Sequence, residues 1–330
     1  MALDVKINIS SATPIGSIGF GCPLILEEKA TSAKDYATYS NINEVVKAGY
    51  ATTTNVYKTA NLIFSQTHAP DKIAICSTTD KATTWLAVEA NVSKAWRQLV
   101  TLLASEGGST VSEVMTAIEA QTTYPKFYYA NLEDDTVAGI TTTGVERTLL
   151  CCYEPTEDVP CPVAAIAGEV AGLTVGSYTL NNLIVKGVEP RELSESEISA
   201  IHEKGAVTIV LSAGDTVVSE GITAGKFWVD DTDGNDWIKQ QLEYKLQKVL
   251  NNNLKVPYTN TGIAMLESAA VSVMSEAQTN GIVNTYEVNF LLRENTTEAD
   301  RSARKYVGGN ITYDMQGAIH TVEVNCECKL

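Results

Sequence analysis

The chain has 330 residues, and the 44% that are hydrophobic can bury the cores of about two domains. Its 40 acidic and 24 basic side chains give a net charge of −16, which argues against nucleic acid as a partner. The sequence offers no apolar run long enough to cross a membrane and no secretion signal. Seven scattered cysteines, an odd number, favour a reducing compartment over a disulfide framework. We therefore expect a protein made in the cytoplasm, without membrane insertion.

The first half of the chain alternates short apolar runs with amphipathic stretches. An apolar run at 24–26 follows a glycine-punctuated stretch. Strands are predicted at 73–76, 96–103, 127–130 and 148–153, and helices at 41–49, 54–66, from about 80, at 109–120 and at 160–170. The run at 96–103 also fits a helical face, and we interpret it as a strand because a helix and a strand follow. This alternation predicts a mixed α/β fold with a largely parallel sheet.

The regular alternation of apolar runs and amphipathic stretches ends in the second half of the chain. A short acidic helix is predicted at 195–203 with Ser194 as its cap, and a hairpin within 205–225. An acidic loop at 230–236 is predicted to enter an amphipathic helix that ends at the asparagines 251–253. A second helix follows residues 257–259 and closes at Asn280 and Gly281, and a strand spans 285–292.

None of the recognisable motifs indicates a catalytic or metal-binding site. If Gly234 were the turn glycine of a calcium loop, the first and twelfth ligand positions would be Val229 and Gln240, so a solvated loop is the better interpretation. Cys326, Cys328 and His320 lack the fourth ligand that a structural zinc site needs. The chain has no serine nucleophile elbow, no HExxH motif and no phosphate-binding loop. We therefore predict no catalytic residue, no metal and no cofactor.

Both ends of the chain carry a strand pattern. Apolar or thiol side chains and one histidine alternate with polar ones at these positions: Leu3, Val5, Ile7 and Ile9, then His320, Val322, Val324, Cys326, Cys328 and Leu330. Each terminal strand can pair within its own chain, or it can add to a sheet edge of another subunit. Both alternatives stay open from the residues alone.

A basic run stands out against the acidic background. Arg293, Arg301, Arg304 and Lys305 lie in a charged segment that is almost free of large apolar residues, which predicts an exposed linker with some helix. We expect these four side chains to meet carboxylates of a neighbouring subunit.

Several short segments, in their order and spacing, resemble the contractile tail sheath proteins of phages and phage-tail-like bacteriocins. The resemblance covers most of the chain and is carried by residues 64–66, 70, 73–75, 176–179, 187–188, 225, 228–230, 236–238, 257–259, 262–263, 300–301, 304 and 317–320. It implies a two-domain subunit that stacks in six-membered rings around a rigid inner tube. Extended N- and C-terminal strands would insert into neighbouring subunits.

The resemblance also implies how the parts are used. Residues 1–20 and 215–330 would form the inner, tube-facing domain, and residues 21–214 the outer α/β domain. The partners would be further copies of the chain, the inner tail tube protein, and the baseplate and tail terminator proteins. Assembly in a bacterial cytoplasm would give part of a phage tail or of a released particle, and contraction would drive the tube through a cell envelope.

Two other classes of protein compete with this interpretation. One is an α/β enzyme that oligomerises by swapping its terminal strands. The other is a different particle-wall protein, such as a tail tube.

Overall fold

The computed structural model describes residues 20–104, 108–132, 140–324 and 326–327. Its strands are β1 Leu24–Glu27, β2 Lys34–Tyr39, β3 Ile73–Ser77, β4 Gln98–Leu102, β5 Phe127–Leu132, β6 Thr148–Cys152, β7 Ala206–Val207, β8 Ile209–Ser212, β9 Asp215–Val218, β10 Val283–Phe290 and β11 Gly309–Met315. Its helices are α1 Ile42–Lys47, α2 Asn55–Phe64, α3 Lys81–Asn91, α4 Val111–Glu119, α5 Val163–Gly172, α6 Glu195–Glu203, α7 Val229–Asn252, α8 Asn260–Thr279 and α9 Glu298–Ser302. A short 3-10 turn, Arg293–Asn295, precedes α9.

A seven-stranded sheet organises the first two thirds of the chain. Its strand order is β2-β3-β1-β4-β5-β6-β7, and all neighbours are parallel except β2, which runs antiparallel to β3. The prediction of a mixed α/β fold with a largely parallel sheet is confirmed. Sequence analysis missed β2 because this edge strand, with the sequence KDYATY, is mostly polar and only partly buried.

Helices cover both faces of this sheet. Ile25, Val100 and Cys151 belong to the hydrophobic cluster beneath α1, α2 and α5, whereas Leu26 and Cys152 belong to the cluster beneath α4 and α6. The adjacent cysteines therefore point to opposite faces, as an alternating strand requires. The predicted helices in this half are confirmed, as are the 195–203 helix with its Ser194 cap and the hairpin, formed by β8 and β9.

The last third forms a smaller unit. Helices α7 and α8 pack against the antiparallel pair β10 and β11 around a third cluster, which includes Trp237, Leu242, Val273 and Met274. The two predicted helices and the strand β10 are confirmed, and Gly281 adopts the positive φ of +82° that a helix-closing glycine allows. Sequence analysis made no prediction for β11.

The acidic segment 230–236 is not a solvated loop, so that prediction is wrong. Helix α7 begins at Val229, and the carboxylates of Asp233 and Asp236 lie in its buried first turns. The neighbouring large sheet supplies the cations that make this burial possible, and the helix N-terminus also favours negative charge.

Arg97, next to β4, is the centre of a buried ion network. Its guanidinium lies 2.5 Å from Asp233 Oδ1 and 2.8 Å from Asp236 Oδ2, and it donates to the carbonyl of Pro125 at 3.0 Å. Arg147, beside β6, approaches Asp236 at 2.9 Å. Burial alone would raise the pKa of Asp236, but the two guanidinium groups outweigh it and lower that pKa. The network therefore joins the large sheet to the first turns of α7.

The hairpin β8–β9 and the segment after it pack with the large sheet. Ile209, Val218, Ile222 and Val229 all belong to the cluster that contains α2 and α5. The assignment of residues from 215 onward to an inner domain stays a prediction, and continuous apolar packing crosses that boundary.

We expect Arg97→Met to lower the free energy of unfolding by about 3 to 5 kcal/mol, because two buried carboxylates lose their main cation. Urea titration followed by circular dichroism measures this loss. Lys47→Met, at an exposed cation at the end of α1, is the control and should change stability by no more than about 0.5 kcal/mol. Equal stabilities of the two variants would contradict the role given to the network.

Lys126 is a second buried cation on the same side of the sheet. Its Nζ donates to the carbonyls of Trp96 at 2.5 Å and Lys94 at 3.0 Å, and it lies 4.4 Å from the centre of the Trp96 ring. Burial, and then the charge of Arg97, lower its pKa to about 7. The folded protein therefore releases this proton near neutrality, whereas the unfolded chain holds it to about pH 10.

The stability of the protein should consequently depend on pH. Between about pH 7 and 8 the unfolded chain binds more protons at Lys126 than the folded one, so Lys126 adds a positive term to the slope of the free energy of unfolding against pH. The buried thiols of Cys22 and Cys161, whose pKa values are raised, add a term of opposite sign that both proteins share. The slope should therefore be more positive in the wild type than in Lys126→Met. Urea titrations of both proteins at several pH values measure the two slopes, and identical slopes would contradict the prediction.

Candidate assembly site

The C-terminal segment leaves the body of the subunit after β11. Gly317 follows with a φ of +62°, and no β-ladder is formed by residues 316–324 or 326–327. Ile319, Val322 and Val324 are 85%, 73% and 77% exposed. The described residues of the predicted C-terminal strand are thus not paired in a single chain, because an extended segment becomes a strand only when its backbone groups find a partner. The described part of this arm presents its apolar side chains to solvent.

His320 attaches the base of the arm to the subunit's own body. Its Nε2 is 3.1 Å from Thr179 Oγ1, its ring meets the Trp228 ring edge-on at 4.7 Å, and Nδ1 lies 3.0 Å from a Glu220 carboxylate oxygen. At this distance Nδ1 makes no well-aligned hydrogen bond to Glu220. In the single subunit His320 thus contacts its own body, and its part in an assembly arm stays a prediction.

The other predicted arm residues fall into two groups. Cys326 is described and exposed, as are Val322 and Val324. The remaining ones lie outside the described residues: Leu3, Val5, Ile7, Ile9, Cys328 and Leu330.

The pair β10–β11 offers a surface that can accept a further strand. In the described part of the chain each of the two strands pairs only with the other, so both outer edges keep unpaired backbone groups. One face of the pair, with Tyr286, Val288 and Tyr313, packs on the α7–α8 cluster. An added strand would therefore extend a sheet whose apolar face is already supported.

In the predicted basic run Arg293, Arg304 and Lys305 are exposed and Arg301 is half-buried. Within the described residues, Arg293, Arg301, Arg304 and Lys305 form no salt bridge. Arg301 turns back on its own segment and donates to the Thr296 carbonyl and, at 3.2 Å, to the Thr296 hydroxyl. The side chains of Arg293, Arg304 and Lys305 are exposed, so they are available to a neighbouring subunit.

Residue types that could support catalysis are dispersed. His68 contacts Glu169 at 2.5 Å, His202 contacts Ser219 at 2.9 Å, and His320 anchors the arm. Burial raises the pKa of Cys22 to about 11 and that of Cys161 to about 12, so both remain thiols. Over the described ranges no three His, Cys, Asp or Glu side chains lie together as metal ligands would, and no helix there has the length and apolar character needed to span a bilayer.

Comparison with known proteins identifies what the fold resembles. Residues 229–287 match the family described as E217 tail sheath protein gp31-like, C-terminal domain. No curated protein matches the sequence. The contracted helical sheath of the anti-feeding prophage aligns with a TM-score of 0.70 at 11% identity, over 99% of this chain and 98% of that chain. The chain has the tail sheath fold.

Two further tail sheath structures support this assignment. The contracted sheath of the extracellular contractile injection system PVC aligns with a TM-score of 0.73 at 10% identity, over 99% of this chain and 98% of that chain. The sheath tail protein Lin1278 from Listeria innocua aligns with a TM-score of 0.59 at 9% identity, over 92% and 97% of the two chains. The resemblance inferred from short sequence segments is thereby confirmed.

Sequence analysis of this sheath-like chain missed the residues that fix the arm and the body. Thr179, Glu220 and Trp228 hold His320, and Arg97 holds Asp233, across separations of up to 141 residues. No local spacing connects such residues. The one available signal was Asp233 and Asp236 at helical spacing, which we interpreted as a loop.

We expect His320→Ala to release the base of the arm without unfolding the subunit. Residues 317–324 should exchange amide hydrogens faster, while the melting temperature changes little because the lost contacts lie at the surface. Hydrogen exchange with mass spectrometry measures this. Ile319→Ala, which truncates an 85% exposed neighbour, should leave the exchange unchanged. Equal exchange in both variants would show that His320 is not an anchor.

Proposed function

We propose that this chain is the structural subunit of a contractile tail sheath. The observation that carries the proposal is the near-complete mutual coverage with two contracted sheath subunits, 99% and 98% in each case. The exposed C-terminal arm and the edges of β10–β11, unpaired in the described chain, support it independently, since they would supply the two halves of a strand-exchange contact.

Strand exchange is the proposed joint between subunits. The arm from Thr321 onward would add to the β10–β11 sheet of a neighbour, with Val322, Val324 and Cys326 on the face directed toward that neighbour's core. Each backbone hydrogen bond contributes a net of roughly 0.5 to 1.5 kcal/mol. Each buried valine adds about 1.5 to 3 kcal/mol before ordering costs. Such a joint is strong enough to hold subunits together while the lattice rearranges.

The N-terminal segment would provide the second link of the mesh, through Leu3, Val5, Ile7 and Ile9. Rings of six subunits would stack around an inner tube, with residues 1–20 and 215–330 facing the tube and 21–214 outside. Baseplate and terminator proteins would bind the two ends. We place assembly in a bacterial cytoplasm, within a phage tail or a released particle.

The free energy for contraction would come from a change in the contacts between subunits rather than from nucleotide hydrolysis. Two lattices of the same subunit differ in which surfaces touch, and a modest preference per subunit is multiplied by the number of subunits that switch together. The subunit then needs rigid bodies and durable joints, and no catalytic site.

The arm can be tested by a matched pair of substitutions. Val322→Asp would bury a carboxylate in the neighbour's core and should abolish cylinders in negative-stain electron microscopy. Thr321→Asp, one residue earlier and on the opposite face of the strand, should still polymerise. Both variants should melt like the wild type, because both positions are exposed in the single subunit.

A chain that ends after His320 gives a second test of the arm. It retains the anchor and should remain a folded monomer. Polymerisation of this truncated chain, or failure of the wild type to form cylinders, would overturn the proposal.

A further inference from the structure

The end of the smaller unit farthest from the α7 N-terminus forms one continuous surface, which we call the basic tip (residues 250–258 and 291–308). The Tyr258 hydroxyl donates to the Lys305 carbonyl at 3.3 Å, and the Arg293 backbone N–H donates to Asn260 Oδ1 at 2.7 Å. The Phe290 and Tyr306 rings stack at 5.7 Å. These contacts hold the α7–α8 connection against the β10–β11 connection.

The basic tip is more apolar than an exposed connection needs to be. Five large aliphatic side chains are exposed there: Leu250, Leu254, Leu291, Leu292 and Val307. Arg293, Arg304 and Lys305 lie among them, and none forms a salt bridge within the described residues. Exposed apolar side chains concentrated in one patch mark a surface that another molecule covers. That molecule should be acidic and should offer apolar contacts as well.

The chain itself carries such a surface at the β7 edge of the large sheet, which we call the acidic patch (residues 184–211). Glu192, Glu195 and Glu203 are exposed and form no ion pair within the described residues. Exposed Ile184 and Leu211 lie at this edge with Glu192, because Ile184 bridges to β9 and Arg191 bridges to β8. Helix α6, which carries Glu195 and Glu203, is joined to the same hairpin by the 2.9 Å contact of His202 Nε2 with Ser219 Oγ. The acidic patch therefore also combines charge with aliphatic side chains.

We propose that the basic tip of one copy docks on the acidic patch of a second copy. The proposal rests on the sheath function and adds to it a contact that uses neither terminal arm. A net charge of −16 makes a second copy an electrostatically suitable partner for a basic surface. Nucleic acid could neutralise the three cations but would leave the leucines uncovered.

The two surfaces cannot each pair with themselves. The basic tip has five basic and three acidic side chains, a net charge of +2, and the acidic patch has three basic and five acidic ones, a net charge of −2. Two copies of either surface therefore repel each other, so the contact joins different surfaces of two copies. A contact of this heterologous kind leaves one unused tip and one unused patch on every pair. It therefore continues into rings or helices, which is the geometry that a sheath needs.

Charge reversal tests the pairing in the purified full chain. Arg293→Glu with Arg304→Glu and Lys305→Glu should raise the concentration needed for polymerisation at least about tenfold, as measured by sedimentation. Glu192→Lys with Glu195→Lys and Glu203→Lys should do the same. The variant with all six changes has the wild-type net charge and should recover most of the polymerisation, because the reversed surfaces again attract each other.

A matched control separates local pairing from total charge. Lys47→Glu with Lys72→Glu and Lys94→Glu reverses three exposed cations away from both surfaces and should polymerise like the wild type. Unchanged polymerisation of either reversed variant, or no recovery in the combined one, would overturn this inference and leave the sheath function standing. Loss of binding to another particle component, with polymerisation intact, would assign the tip to that component instead. A wild type that never polymerises would contradict the sheath function itself.

Discussion

The ion network around Arg97 is the interaction on which the rest of the subunit depends. It places a guanidinium between the carboxylates of Asp233 and Asp236, all of them buried, and it ties the large sheet to the first turns of α7. A buried charge without its partner is so unfavourable that the two units are held in one relative position.

Phe20, at the start of the described chain, and the base of the C-terminal segment both lie close to that network. The Phe20 ring lies 5.2 Å from the Arg97 guanidinium, at the point where the described chain begins. Tyr178 donates to Asp233 at 2.9 Å, and the next residue, Thr179, contacts His320 at the base of the C-terminal arm. The base of the C-terminal segment is therefore linked to the ion network through the neighbouring residues Tyr178 and Thr179.

The assembly surfaces have the opposite character. Val322 and Val324 are open to solvent, the edges of β10–β11 are unpaired in the described chain, and the leucines of the basic tip have no cover. These exposed apolar side chains and unpaired strand edges suit a subunit of a polymer, in which other copies can cover them. This division between a closed interior and open edges is consistent with a sheath whose subunits move as rigid bodies.

The sequence by itself determined most of the secondary structure and the fold class. Periods of two and of 3.6 residues are local properties, so strands such as β3 and helices such as α8 followed directly from them. Alternation of the two elements then predicted the parallel sheet. The polar edge strand β2 gave no such periodic signal, and it forms because the backbone of β3 offers it a partner.

Only the tertiary structure decided how the charged residues are used. Asp233 and Asp236 resembled a solvated loop because the cation that pairs with them lies 136 residues earlier for Asp233, and no spacing in a sequence encodes such a meeting. The same holds for His320, whose contacts come from the segments around Thr179, Glu220 and Trp228. The local sequence pattern determines which face of a helix or strand is apolar. The free-energy cost of burying a charge depends instead on the hydrogen-bonding and oppositely charged groups that the folded chain places around it.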